Sequence, residues 1–174
     1  QKIVASHEKM AILLDVTTSL TRTLDLDVLI DKIVSKISEI LDAERSSIFL
    51  VDSTTGELWS KRAEGMKGTV IRFPVSGGLA GYVARTGEVI NIKDAYEDPR
   101  FNPAFDKETG FRTKTVLAAP ILNPQGEIIG VTQAMNKNGA VFDREDEDLL
   151  KLLSSEIAVA LQNAQLYEDT TEMR

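Results

Sequence analysis

NKNGAVFDREDE, residues 136–147, compresses three structural changes into twelve positions. An apolar strand ends, a turn follows, and a helix begins. Glu127 to Met135 alternates and carries β-branched residues, as a strand does, and Asn138-Gly139 is a strong turn pair. Asp143 is placed to cap a helix. Arg144, Glu145, Asp146 and Glu147 fill its first turn, where unpaired amides and the positive dipole end favour carboxylates. Lys137, at the strand end, can meet an aspartate of that first turn and pin strand to helix.

Upstream of this junction, Thr115 to Leu122 and Glu127 to Met135 form a hairpin around Asn123-Pro124-Gln125-Gly126. Downstream, a final helix runs from Arg144 past Tyr167, with Leu149, Leu150, Leu153, Ile157, Ala160, Leu161 and Ala164 at helical spacing. At the other end, residues 3–24 read as an amphipathic helix that carries the only histidine, His7, with no ligand set around it. A second helix opens at Asp25 as cap, with Leu24 and Leu29 as a staple, and buries Leu26, Leu29, Ile30, Ile33, Ile37, Ile40 and Leu41 before ending near Asp42.

From Arg45 the period changes to two. Ser46 to Val51 and Glu57 to Arg62 flank Asp52-Ser53-Thr54-Thr55-Gly56, which is hairpin grammar. Val70 to Phe73 is a short strand stopped by Pro74, Gly77 to Gly87 a short helix bounded by glycines, and Val89 to Ile92 a strand. Asp94 to Thr113, DAYEDPRFNPAFDKETGFRT, has no sustained period; loops of this length are often lids or binding loops, here with a helical turn or two. Hairpins in place of βαβ crossovers predict an α+β domain of about six strands, mainly antiparallel, with helices on one face.

Composition excludes several classes of function. At 174 residues and 43% hydrophobic, the chain fits one globular domain with helical extensions. It contains no apolar run long enough to span a membrane and no signal-peptide pattern. With zero cysteines, disulfides, thiolate metal sites, thiol nucleophiles and thioether-linked chromophores are all removed. A single histidine removes triads and most zinc sites. The net charge of −7, without a Lys/Arg cluster, argues against nucleic-acid polymers and anionic membranes. A small anion held by backbone amides stays possible. The expected setting is cytoplasmic.

The set Asn136, Lys137, Phe142, Asp146 and Glu147 resembles the NKxnFx3DE signature of cyclic-nucleotide-binding GAF domains. FPVSGGLAGYVARTGEVINIKDAYEDPRFN (73–102) and ETGFRTKTVLAAPI (108–121) are similar to the binding half of such domains in cyclic-nucleotide phosphodiesterases and cyanobacterial adenylyl cyclases. The resemblance covers residues 25–165, leaving 1–24 as a connecting and dimerisation helix and 166–174 as a helix end or linker. It implies a GAF fold with the terminal helices on one face of the sheet and a ligand pocket under a lid on the other.

The resemblance also implies roles for individual residues. Lys137 and Asp146 become a structural link rather than ligand contacts. First-turn amides of Leu79 and Ala80 contact the nucleotide, approached closely because of the glycines around them. In the lid, Asn102, Asp106, Thr109 and Thr113 occupy contact positions, and hydroxyls and amides there suit a cyclic phosphate and ribose. Asp106 must face a donor or water; it reads equally as a solvated lid carboxylate. Phe101, Phe105 and Phe111 read as the lid's own small core.

Ser47 is placed at the base edge and Gln133 where some relatives carry glutamate. Ala63 replaces a stacking aromatic, and Glu64 an aspartate that reads the base. Arg62 with Glu64 fits adenine slightly better than guanine. The expected function is a regulatory sensor, not an enzyme, that binds cAMP (alternatively cGMP) without a further cofactor. It would relay occupancy through its terminal helices to an output domain, as a homodimer. The other reading is a ligand-free GAF module for dimerisation and relay.

Overall fold

Asp25 opens the first described helix, α1 (Leu26–Leu41), by accepting the Val28 amide at 3.1 Å. The apolar residues of its sequence stripe are buried, and Asp42 ends it in the left-handed region at φ 52°. A computed structural model of the chain describes residues 25–60 and 71–172, with side-chain environments through residue 164. The helix expected over residues 3–24, together with His7, Leu24, Arg62, Ala63 and Glu64, lies outside the described residues.

The strands follow as β1 (Ala43–Asp52), β2 (Glu57–Ser60), β3 (Ile71–Pro74), β4 (Ile90–Ile92), β5 (Val116–Leu122) and β6 (Ile128–Lys137). They form one six-stranded sheet in the order β3-β2-β1-β6-β5-β4, with every neighbouring pair antiparallel. The fold is therefore the expected α+β architecture. Two helices complete it on the cavity side, α2 (Gly78–Thr86) and α3 (Ala104–Thr109), with a 3-10 turn at Ala95–Glu97. The chain closes with α4 (Arg144–Glu172).

Strand alternation sorts residues between the two faces. Ile48, Leu117, Ala119, Ile121 and Ala134 join α1 and α4 in one apolar cluster with Phe142, Leu150, Leu153 and Ile157. Phe49, Leu58, Val116, Ala118 and Val131 face the other way, with Leu79, Ala80 and Val83 of α2. Ser46 and Thr132 are polar residues on the helix face. Ser46 is bonded to Ser38 and to the Val34 carbonyl, and Thr132 to Ser154.

Of the boundaries expected within the described residues, two differ from the sequence reading by two residues and the others by one at most. β1 begins at Ala43 rather than Arg45, and β6 continues past Met135 through Asn136 to Lys137. Ala43 pairs with Lys137, so the ladder carries the strand two residues farther. Asn136 interrupts the alternation with φ 62°, a conformation asparagine tolerates better than most side chains.

That turn of the backbone gives two adjacent residues opposite jobs. Asn136 reaches toward the lid: its amide group donates to the Arg112 carbonyl at 2.8 Å and to Glu44 at 3.1 Å, and its oxygen accepts the Lys114 amide. Lys137 reaches toward the helices: its ammonium meets Asp146 Oδ1 at 3.0 Å and the Leu41 carbonyl at 2.8 Å. Asp146 is only 1% exposed on its side chain, and its second oxygen accepts the Asp143 amide while Asp143 accepts the Asp146 amide. The predicted cap at Asp143 is thus a reciprocal capping box. Lys137 joins β6, the start of α4 and the end of α1, where a cation suits the helix dipole. Phe142 is buried with α1 and α4, and its carbonyl accepts the Asn91 side-chain amide, as does Glu147.

Candidate functional site

The cavity-side face of the sheet does not close completely. A cavity of about 290 Å³ lies between β1, β3, β6, the start of α2 and the lid. Its floor is fixed by register: Ser47 pairs directly with Gln133, and Arg45 with Met135, so the side chains of all four emerge on one face. Ser47 is 4% exposed. Eight of the expected contact residues line this cavity: Ser47, Leu79, Ala80, Asn102, Asp106, Thr109, Thr113 and Gln133.

One wall is the start of α2. Gly77 caps it without a side-chain hydrogen bond, and the first amides of a helix have no partner within the helix. Gly78 takes φ 73°, which favours glycine. Gly81 is needed for a different reason. A Cβ there would stand 2.5 Å from the Val75 carbonyl oxygen, so the 75–77 segment packs directly onto the helix backbone. Arg85 donates to the same carbonyl.

The lid forms the opposite wall; here the structure corrects the reading of the three phenylalanines, takes one of the two readings of Asp106, and gives the threonine hydroxyls partners. Phe101, Phe105 and Phe111 are not a closed core of the lid; all three line the cavity. Phe105 packs edge-on to Phe73 of β3 at 6.2 Å, and Phe73 meets Phe49 at 5.3 Å, so aromatic rings run from lid to sheet. Asp106 is not a solvated carboxylate but 8% exposed, accepting from the Tyr96 hydroxyl, the Thr113 amide and the Thr113 hydroxyl. The threonine hydroxyls are not free donors: Thr109 donates to the Phe105 carbonyl and Thr113 to Asp106. Short α3 needs these bonds because a helix of this length is not stable alone.

Arg45 is the residue that sequence reasoning passed over. It and Asp106 are the charged side chains among the described residues lining the cavity. The Arg45 guanidinium lies 4.0 Å from the centre of the Phe111 ring, which holds its plane against the lid. The signal was available, since Arg45 stands two positions before Ser47 on an alternating strand and so shares its face.

The outer edge of the lid is fastened to α2. Asp98 takes a two-pronged contact from Arg100, at 2.9 and 2.7 Å, and the same guanidinium lies 4.5 Å from the Tyr82 ring. Hydrogen bonding to Arg100 holds the Asp98 carboxyl below its ordinary range. The Tyr82 hydroxyl donates to Glu88, which pushes its phenol pKa up.

Among the described residues no group of three His, Asp or Glu side chains is placed to hold a metal ion, and no helix is long and apolar enough to cross a membrane. The cavity offers shape, aromatic surface, amide donors and one cation. That set suits recognition of a small, flat, anionic molecule.

Comparison with known proteins adds to this geometry. The model of the GAF domain family matches residues 25–161. A probable 3′,5′-cyclic phosphodiesterase of Caenorhabditis elegans is 40% identical over 95% of this chain and 24% of its own length. A dual 3′,5′-cyclic-AMP and -GMP phosphodiesterase of Takifugu rubripes is 38% identical over 92% of the chain and 19% of its own. The chain thus spans a quarter or less of these relatives. Among solved structures, the GAF domain of a phosphoenolpyruvate-protein phosphotransferase from Coxiella burnetii superposes with a TM-score of 0.81 at 25% identity, covering 92% of this chain and 96% of that one. A free methionine-R-sulfoxide reductase from Neisseria meningitidis shares the fold at a TM-score of 0.76 and 18% identity, covering 91% of each chain.

Proposed function

This chain belongs to the GAF domain family, and we propose that it is a regulatory module that binds a cyclic nucleotide, cAMP in preference to cGMP. Occupancy would pass through the terminal helices to an output domain of a larger protein. The observation that carries the reading is the gathering of Ser47, Gln133, Arg45 and the uncapped start of α2 around one aromatic-walled cavity. Uncapped helix amides and the dipole attract a phosphate. Ser47 and Gln133 offer both donors and acceptors to a base edge, and the Arg45 plane can face a purine.

The names of the two similar phosphodiesterases support a cyclic nucleotide as ligand class. On residue type alone, Arg62 and Glu64 favour adenine, since a guanidinium can donate to its N1 and a carboxylate can accept from its exocyclic amine. The clasp residues Asn136, Lys137, Phe142, Asp146 and Glu147 shape the site without touching the ligand. The exposed residues Leu152 and Val159, seven positions apart on α4, support a homodimer through the terminal helices. A cytoplasmic setting accords with a chain of no cysteines.

A thermal-shift screen with cAMP, cGMP, AMP and GMP tests the reading. A ligand present at about 100 times its Kd adds roughly 2.7 kcal/mol of stability. The largest shift is expected with cAMP, a smaller one with cGMP, and none with the non-cyclic forms. No shift with either cyclic nucleotide overturns it.

A further inference from the structure

A tyrosine that is not itself part of the cavity lining holds the lid together from behind. Tyr96, in the 3-10 turn, sends its hydroxyl 2.7 Å to Asp106 Oδ2 on α3. The same carboxylate takes the Thr113 amide at 2.8 Å and the Thr113 hydroxyl at 2.7 Å. One buried carboxylate therefore joins the beginning, the middle and the end of the lid. The Tyr96 ring is fixed from two further sides, by Phe101 at 5.0 Å and by the Arg112 guanidinium at 3.8 Å from its centre. Ala95 closes the base of the lid by donating to the Lys114 carbonyl at 2.7 Å.

The consequence concerns α3, which spans only Ala104–Thr109 and carries Phe105 and Thr109 into the cavity wall. A helix of this length holds its position through tertiary contacts rather than through its own hydrogen bonds. Asp106 supplies such a contact, and the Tyr96 hydroxyl is the donor that ties it to the opposite arm of the lid. Donation to Asp106 raises the Tyr96 pKa, so the phenol keeps its proton at neutral pH.

We propose that Tyr96 and Asp106 form a lock on the lid, in which Tyr96 is a positioning residue that sets how long the ligand stays in the cavity. The part that concerns residence time rests on the cyclic-nucleotide reading above; the lock itself does not.

The test has two arms. In the first, hydrogen exchange is followed in the ligand-free chain carrying Tyr96→Phe or Asp106→Asn, with Tyr82→Phe as a control, because the Tyr82 hydroxyl serves Glu88 rather than the lid's interior. Loss of a hydrogen bond to a charged acceptor predicts exchange about tenfold faster across residues 104–113 in Tyr96→Phe. Exchange in β5, β6 and α4 rises by no more than about the same factor, and the melting temperature falls only by the few degrees that one such bond accounts for. In the second arm, release of radiolabelled cAMP is chased with unlabelled cAMP. Tyr96→Phe speeds release about tenfold with little change in association rate, and the double variant is no faster than Asp106→Asn alone, because the two changes remove one interaction. Wild-type exchange across 104–113 in Tyr96→Phe, unchanged release, or additive effects in the double variant would each overturn the lock as a control on residence. If the wild-type chain binds no cyclic nucleotide, that failure belongs to the functional reading, and the exchange arm still decides whether the lid is locked.

Discussion

The two faces of the sheet solve different problems with the same alternating strands. On the helix face, Ile48, Leu117, Ile121 and Ala134 meet α1 and α4, and the space between them is filled. On the cavity face, Ser47, Gln133 and Arg45 emerge from the same strands, and the lid stands over them on hydrogen bonds and ring contacts rather than on aliphatic packing. The helix face stabilises by excluding water throughout; the cavity face has an apolar cluster of its own under α2 but keeps room for a ligand beside it. The comparison predicts that substitutions on the first face are read in stability and those on the second in binding.

The largest effect is expected from Leu153→Ala, which empties space beside α1 in the filled face. Leu153 is 1% exposed, and the cost is about 4 kcal/mol in chemical denaturation. Phe105→Ala on the lid should lower stability far less while reducing affinity for cAMP. Equal stability losses for the two would break the distinction between the faces.

Asp146→Ala comes next, at about 3 kcal/mol, because it strands the part-buried Lys137 ammonium and removes half of the capping box. Ligand affinity should fall with it, since Lys137 also holds the Leu41 carbonyl and the strand end. Affinity lost with stability intact would instead make Asp146 a direct ligand contact.

Gly81→Ala should cost about 2 kcal/mol through the 2.5 Å approach to the Val75 carbonyl. Its distinctive mark is lost cAMP affinity, because the uncapped start of α2 must move. Affinity unchanged in this variant would remove α2 from the site.

The smallest effect concerns acid. Because Arg100 keeps the Asp98 pKa below the usual value of about 3.9, its contribution is present above that value and is lost as pH falls through the depressed one. Asp98→Asn should therefore differ from the wild type at neutral pH and converge with it in acid denaturation as pH falls through the depressed pKa. Both partners are partly exposed, so salt should narrow the gap. A gap that widens toward low pH would contradict the pairing.

Much of this division was legible in the sequence. The Asp25 cap, the stripe of α1 and the capping aspartate before α4 follow from period and position alone. Hairpin grammar carried the antiparallel sheet, and the eight described contact residues expected from the resemblance to GAF domains line one cavity. Asn136 was not legible as strand, because the Asn-Lys-Asn-Gly run reads as a turn and only tertiary bonds to Arg112, Lys114 and Glu44 hold it in the ladder. Nor could Asp106 be resolved as a buried acceptor, since its donors Tyr96 and Thr113 are ten and seven residues away along an aperiodic segment. The three lid phenylalanines are as apolar as a core demands, and nothing in their spacing distinguishes a core from a cavity wall. Arg45 is the exception that pattern could have caught, through its shared face with Ser47.

Titration calorimetry of cAMP and cGMP into the purified chain tests the central claim most directly. The account predicts saturable heat with one site per chain and tighter binding of cAMP than of cGMP. Absence of heat with both nucleotides, together with an unchanged melting temperature, would contradict it.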